Sequence, residues 1–192
     1  MSLLSGPAAD WDNTRLVAAC LGGDERAWHI LLDRYKNLIY SIPLRYGLPH
    51  QDAADIFQSV CMDLFNELPK LRDPEALQGW LIRVTSNKCY HLKQRQVNRE
   101  SDLGEDHMEA LSSKERIPPE MMAELEREQM VRESIAQLSP RCREMIELLF
   151  FEQPPIPYNE VAKRLRLAKG SIGFIRGRCL ERMKKILEEK GF

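Results

Sequence analysis

Two helical patterns joined by a short break fill residues 158–183, YNEVAKRLRLAKGSIGFIRGRCLERM. The first pattern places Val161, Ala162 and Leu165 on one face, as the period of an α-helix requires. The second pattern has a basic outer side and an inward apolar side made of Ile172, Ile175, Cys179, Leu180 and Met183. Two short helices joined by a tight turn, the second one basic, are typical of a helix-turn-helix, whose second helix can enter a DNA major groove.

Charge is distributed unevenly along the chain, although the formal net charge is only −1. Residues 134–192 hold 12 Lys/Arg and 7 Asp/Glu, which gives +5, whereas residues 97–133 hold 5 and 11, which gives −6. A basic segment beside an acidic one favours binding of a nucleic-acid phosphate backbone by the first. The acidic segment could instead fold back on the basic one.

Length and composition exclude several classes of protein. A chain of 192 residues allows one domain or two small ones. No apolar run reaches the roughly 18 residues of a transmembrane helix, and the N-terminus lacks the basic start and apolar stretch of a signal peptide. The sequence therefore predicts a cytoplasmic protein without a membrane partner.

The chain has five cysteines, which are far apart and include no CxxC pair. Each falls on an apolar or mixed helical face, where cysteine behaves as a small hydrophobe. An odd count at such spacing predicts no disulfide framework. Neither the cysteines nor the four histidines have zinc-ligand spacing, so we expect no metal and no cofactor.

Almost every periodic segment has the helical period, so the predicted fold class is all-α. The predicted helices are 13–21, 24–46, 50–68, 74–96, 120–136 and 139–151, followed by the helix-turn-helix. Pro43 is expected to kink the second helix or end it early, and Phe65 is expected among the apolar residues of the third. Residues 97–119 are polar, acidic and end in Pro-Pro, which is typical of a flexible linker. The predicted architecture is two small helical domains, 1–96 and 120–192, on that acidic linker.

Short motifs occur in a fixed order on both sides of the predicted linker. In the first half they are Leu16-Val17, Gly23-Asp24-x-x-Ala27-Trp28, Leu31, Tyr35, Asp52-Ala53-Ala54-Asp55-Ile56-Phe57-Gln58 and Leu77-x-x-Trp80-Leu81-x-x-Val84-x-x-Asn87. In the second half they are Leu138-Ser139-x-x-x-Arg143-Glu144, Tyr158-x-Glu160-Val161-Ala162 and Gly170-Ser171-Ile172. Each motif alone is weak, but the ordered set is specific: over about residues 13–96 and 128–188 it resembles bacterial RNA polymerase sigma factors of the extracytoplasmic-function (ECF) group.

The resemblance implies two partners, core RNA polymerase and promoter DNA, and a role in promoter recognition, DNA melting and transcription initiation. Polymerase docking would use Asp52, Asp55 and Gln58. The promoter −10 element would be bound through Trp80, Asn87, Lys88, Tyr90, Lys93 and Arg95. The −35 element would be bound through Lys169, Ser171, Gly173, Phe174, Arg176, Arg178 and Arg182. An anti-sigma factor is a candidate third partner, and the sequence does not choose between it and the acidic linker as the regulator.

Several residues depart from the family pattern. Arg166 stands in the turn where glycine is frequent, and it would cost about 1 kcal/mol if its backbone is left-handed. Ala168 supplies no capping oxygen. Gly173 and Phe174 replace a polar pair that is common in the ECF group, so the resemblance implies no particular promoter sequence.

Two alternatives remain at this point. The first is a regulator that binds DNA through the same helix-turn-helix and does not dock on polymerase. The second is an enzyme, against which the chain shows no nucleophile elbow, glycine-rich phosphate loop or metal-ligand spacing. We therefore expect no catalysis by this chain.

Overall fold

The computed structural model describes residues 11–100 and 117–192, and for residues 98–100 it describes the backbone only. Every regular element in these ranges is helical, which confirms the predicted all-α class. The α-helices are α1 Asn13–Leu21, α2 Glu25–Arg45, α3 His50–Glu67, α4 Leu77–Glu100, α5 Pro119–Ala136, α6 Pro140–Phe150, α7 Tyr158–Arg164 and α8 Ile172–Glu189. None of the helices in these ranges is both long and apolar enough to cross a membrane.

The chain divides into two compact units, and the division falls inside α5. The first unit is Trp11–Glu126, and the second unit, among the described residues, is Arg127–Phe192. α4 continues to Glu100, four residues into the predicted linker, and the first part of α5 belongs to the first unit. The ranges 1–96, 97–119 and 120–192 stay predictions of functional regions, and most of 97–119 lies outside the described residues.

Capping carboxylates and one buried tyrosine organise the start of the first unit. The carboxylate of Asp12 accepts from the Arg15 N–H at 2.7 Å at the start of α1. Asp24 caps α2 in the same way, accepting from the Arg26 N–H at 2.8 Å. Each satisfies an N–H that the first turn of a helix leaves without a partner. The fully buried Tyr35 donates to Asn13 Oδ1 at 3.0 Å, which ties α2 to α1 around a core of aliphatic side chains from α1 to α4.

An early end of α2 at Pro43 and the inward placement of Phe65 were wrong expectations. Pro43 lies inside α2, which continues to Arg45, because a proline so near the C-terminal end removes little of the helical bonding. Its carbonyl accepts from the Leu48 N–H at 3.0 Å in the turn that follows. Phe65 is 62% exposed, because Leu64 and Leu68, four residues apart, take the inward positions at this end of α3.

The second unit has two apolar clusters. One joins α6, α7 and α8 through Met145, Val161, Ala162, Leu165, Ile172 and Cys179, among others. The other joins α5, α6 and α8 through Ile135, Leu138, Ile146 and Ile186. Leu180, expected inside, is 38% exposed, because α8 buries positions seven apart (Ile172, Cys179 and Ile186) and Leu180 lies to one side of that line.

Cys142 of α6 and Cys179 of α8 form a disulfide, with their Cα atoms 5.4 Å apart. The expectation of no disulfide was therefore wrong for this pair. The two cysteines are 37 residues apart in sequence, so the sequence alone does not indicate that the packing of α6 against α8 brings them together. Cys20, Cys61 and Cys89 are free, and they are buried or half-buried as small hydrophobes should be.

Candidate nucleic-acid interface and docking face

The turn of the helix-turn-helix is a Schellman motif at the end of α7. The Leu167 N–H donates to the Ala162 carbonyl at 2.8 Å, and the Arg166 N–H donates to the Lys163 carbonyl at 3.1 Å. These two bonds satisfy carbonyls that the helix end leaves free. The motif needs a left-handed residue, and Arg166 has φ 52°. The sequence identified this position, and the structure shows that the non-glycine residue adopts the strained conformation.

The chain then turns into α8 through a single 3-10 turn at Lys169–Ser171. Leu167 packs against the first apolar cluster, and Ile172 is fully buried in it. The Ser171 hydroxyl donates to the Ala168 carbonyl at 2.7 Å, so it is already engaged within the turn. These contacts fix where α8 leaves the turn and which side of it faces outward.

The predicted −35 residues lie on the outward side of α8 and of the turn before it. Five are exposed: Lys169, Gly173, Phe174, Arg178 and Arg182. Phe174, Arg178 and Arg182 are four residues apart and therefore lie in one line along the helix. The Arg178 guanidinium lies 5.9 Å from the centre of the Phe174 ring. The result is a basic stripe with one aromatic side chain, on the helix that a helix-turn-helix places in the major groove.

Arg176 differs from the other arginines of α8 because it is half-buried and bonded within the protein. Its Nη1 donates to the hydroxyl of Tyr158, the first residue of α7, and its guanidinium lies 5.7 Å from the Tyr158 ring centre. Sequence reasoning used Tyr158 only as a motif residue. A tyrosine at the start of α7, opposite the basic recognition helix, is the signal that could have indicated its bond to an arginine of α8.

The predicted −10 residues all lie on α4, over about 22 Å of helix at 1.5 Å per residue. Trp80 is half-buried against the core of the first unit, whereas Lys93 and Arg95 are exposed. Tyr90 accepts from Gln94 Nε2 at 2.9 Å. The structure does not bring the six side chains into one cluster, because Lys93 projects on a different side of α4 from Trp80.

Lys88 is engaged by the neighbouring helix. Its Nζ lies 2.8 Å from Asp63 Oδ2 and donates to Ser59 Oγ at 2.7 Å, both on α3. Asn87, beside it, is half-buried. A phosphate that binds Lys88 would have to compete with the Asp63 carboxylate.

The predicted docking residues lie on α3. Asp55 and Gln58 are exposed, while the half-buried Asp52 accepts from Gln96 Nε2 at 3.1 Å. Met62 and Phe65, 63% and 62% exposed, continue the same side of the helix at positions i+7 and i+10 from Asp55. The Phe65 ring centre lies 5.5 Å from that of Trp28. We call Asp55, Gln58, Met62 and Phe65 the α3 face. Sequence reasoning missed the two apolar residues of this face, although the i, i+3, i+7, i+10 spacing could have revealed them.

The described ranges contain no group of three or more His, Cys, Asp or Glu residues that could hold a metal ion.

Comparison with known proteins gives one family match and several relatives. The family Sigma-70 region 2 matches residues 31–99, which cover most of α2, α3 and nearly all of α4. The chain is 29% identical over 164 residues to the ECF RNA polymerase sigma-E factor of Escherichia coli (strain K12), covering 82% of this chain and 84% of that protein. It is 25% identical over 181 residues to the RNA polymerase sigma-H factor of Pseudomonas aeruginosa, covering 91% and 93%.

Residues 31–99 thus match Sigma-70 region 2, and over most of its length the chain is similar to two RNA polymerase sigma factors, one of them of the extracytoplasmic-function group. Among solved structures it is similar to that of CnrH in complex with the cytosolic domain of CnrY, at 23% identity and a TM-score of 0.37, over 93% of this chain and 99% of that one.

Proposed function

We propose that this chain binds core RNA polymerase and directs promoter recognition, DNA melting and transcription initiation. The observation that carries the proposal is the match of α2, α3 and α4 to Sigma-70 region 2, in a chain whose second unit contains a helix-turn-helix. The chain acts as a specificity subunit without catalysis of its own, and it acts in the cytoplasm, where the polymerase is.

The α3 face is our candidate for polymerase docking, with Asp52 at its edge. Its spacing matches one side of a helix that packs along another helix, and its exposed apolar end would be covered on binding. Asp55 and Gln58 give polar contacts at the other end. A partner made of helices with an apolar stripe and basic residues, such as a coiled coil of the polymerase, fits this combination.

The two DNA contacts that we propose have different physical requirements. Melting of the −10 element needs aromatic or apolar faces for unstacked bases, where each stacked base contributes about 1–3 kcal/mol. Trp80 and Tyr90 can supply such faces, with Lys93 and Arg95 beside the backbone. Reading of the −35 element needs side chains on the outer face of α8, where one good bidentate arginine contact to a guanine contributes about 1–3 kcal/mol.

Co-purification with core polymerase, followed by run-off transcription, tests the proposal. We expect Phe65→Ala to weaken polymerase binding, and Leu21→Ala, which also removes an exposed apolar side chain of the first unit, to leave it unchanged. Equal binding by both variants would remove the α3 face from the proposal. Absence of both polymerase binding and specific transcripts, where another sigma factor works, would refute the function.

Permanganate footprinting separates a sigma factor from a regulator that only binds duplex DNA. With polymerase present, we expect unpaired thymines near −10 to react. Protection of a DNA site without reactive thymines would favour the regulator. An anti-sigma factor stays a proposed partner, and a pull-down from cell extract would show whether one is retained together with polymerase.

A further inference from the structure

The disulfide between α6 and α8 lies in the unit that carries the helix-turn-helix, and Cys179 belongs to the recognition helix itself. We propose that Cys142 and Cys179 are a reversible redox site, a dithiol that a hydroperoxide oxidises to a disulfide, and that this bond fastens α8 to α6. Because stable disulfides are rare in the reducing cytoplasm, a pair placed so close together there is expected to be transient and redox-sensing. The expectation of a transient disulfide rests on the proposed cytoplasmic location, whereas the chemistry of the two thiols does not.

The surroundings of Cys142 suit the thiol that reacts first. Cys142 is the third residue of α6, a helix of 11 residues, and it is only half-buried. The unpaired N–H groups and positive dipole end of a helix N-terminus favour a thiolate, as do nearby guanidinium groups. The first turn of α6 holds Arg141 and Arg143 and no acidic residue, so the charge around this helix end is positive. Cys179 is fully buried against the same cluster and serves as the second thiol.

The three other cysteines do not compete for oxidation. Burial raises the pKa of the Cys89 thiol to about 12. Burial, together with the nearby Asp24 carboxylate, raises the pKa of Cys20 to about 11. Burial also raises the pKa of Cys61. Since the thiolate is the form that attacks peroxide, these thiols react slowly at neutral pH.

The oxidation proceeds in two balanced steps. The Cys142 thiolate attacks one oxygen of hydrogen peroxide, forms a sulfenic acid and releases hydroxide, which takes up the thiol proton to become water. The Cys179 sulfur then attacks the Cys142 sulfur, the S–S bond forms, and the sulfenic oxygen leaves as a second water. Two thiols and one peroxide become one disulfide and two waters. A dithiol reductant reverses the bond by thiol–disulfide exchange.

Closing the bond restricts the unfolded state of the second unit. For a loop of 37 residues, the chain-entropy relation lowers the unfolding equilibrium constant on the order of several hundred-fold. The same fold-change should appear in amide hydrogen exchange wherever exchange needs the second unit to open. Oxidation therefore holds the helix-turn-helix in the geometry described here, and reduction lets it open more often.

The test uses the full chain, reduced with dithiothreitol, desalted and treated with graded hydrogen peroxide. With alkylation carried out in denaturant, so that the buried thiols also react, we expect two of the five thiols to escape alkylation. Peptide mapping should assign both to one intramolecular bond between Cys142 and Cys179. Cys61→Ser, a matched half-buried thiol in the first unit, should leave this result unchanged, whereas Cys142→Ser should abolish it. Cys179→Ala, which keeps an apolar side chain in the cluster, is a second variant that should also abolish the bond.

Hydrogen exchange then shows whether the bond acts on the fold. After oxidation, peptides from α6 to α8 should exchange several hundred-fold more slowly, while peptides from α2 and α3 should not change. Loss of other thiols, a bond between two chains, or sulfinic acid in place of the disulfide would overturn the proposal. Equal exchange in the two redox states would do the same. None of these measurements uses polymerase, so their outcome is independent of the transcription assay.

Discussion

We expect Arg166→Gly to stabilise the second unit, because Arg166 is the left-handed residue of the Schellman motif that ends α7. Its φ of 52° brings Cβ close to the following carbonyl oxygen. Glycine has no Cβ and adopts this conformation without strain. Both backbone bonds of the motif are made by N–H groups, so the substitution leaves them in place.

The magnitude is the difference between two effects. Left-handed strain in a non-glycine residue costs roughly 1–2 kcal/mol. Glycine loses more backbone freedom on folding, which opposes the gain by roughly 0.5–1 kcal/mol. The net gain in the free energy of unfolding is therefore about 0.75 kcal/mol at the middle of the two ranges, within limits of about 0–1.5 kcal/mol. For a unit of this size, 1 kcal/mol corresponds to a melting temperature roughly 4–8 °C higher.

The assay is hydrogen exchange of α7 and α8 peptides in the full chain, with thermal unfolding as a second measurement. Arg166→Ala keeps Cβ and should show no gain, which separates strain from loss of a surface charge. Arg164→Gly, at the last residue of α7, should destabilise the unit by at most about 1 kcal/mol, because glycine is a poor helix former. If Arg166→Gly destabilises the unit, or if Arg166→Ala stabilises it equally, the strain argument is refuted.

Three further predictions concern charge and thiols. Alanine at any one of Arg176, Arg178 and Arg182 should reduce the slope of log K against log[salt] for DNA binding by about 1. Unchanged slopes for all three variants would show that the DNA-binding face lies elsewhere. Glu133→Gln removes the half-buried 2.8 Å ion pair with Lys190 and should lower the free energy of unfolding in urea by roughly 0.5–1 kcal/mol. Glu188→Gln, whose partner Lys184 is exposed, is the control and should lower it by about 0.3 kcal/mol. The Cys20 thiol, whose pKa is raised to about 11, should react with a maleimide about tenfold faster for each pH unit from 7 to 10, and a plateau near pH 9 would contradict its burial.

Sequence reasoning predicted most of the helices because the apolar period of 3.6 residues marks them directly. α1 runs from Asn13 to Leu21 as predicted, and α7 begins at Tyr158 as predicted. Pattern alone misassigned Phe65 and Leu180, since an apolar residue beside a buried line satisfies the helical period and can still face outward. The error at Phe65 concealed the apolar half of the α3 face.

Pairings between helices were beyond the sequence. The Cys142–Cys179 bond depends on how α6 packs against α8, and no local pattern states that distance. The engagement of Lys88 by Asp63 and Ser59 depends in the same way on the packing of α4 against α3. The Arg166 strain was accessible to sequence reasoning because it arises from a single residue in a recognisable turn.

The hydrogen bond between Arg176 and Tyr158 lowers the entropic cost of ordering Arg176 when DNA binds. A free arginine on a recognition helix samples many rotamers, and ordering such a side chain on binding costs roughly 0.5–1.5 kcal/mol. Arg176 is held by a hydroxyl and lies near an aromatic ring in the protein alone, so much of that ordering precedes the encounter with DNA. Arg182, which is exposed, has more freedom to lose. Two residues of equal charge on one helix thus enter a complex with different entropic penalties.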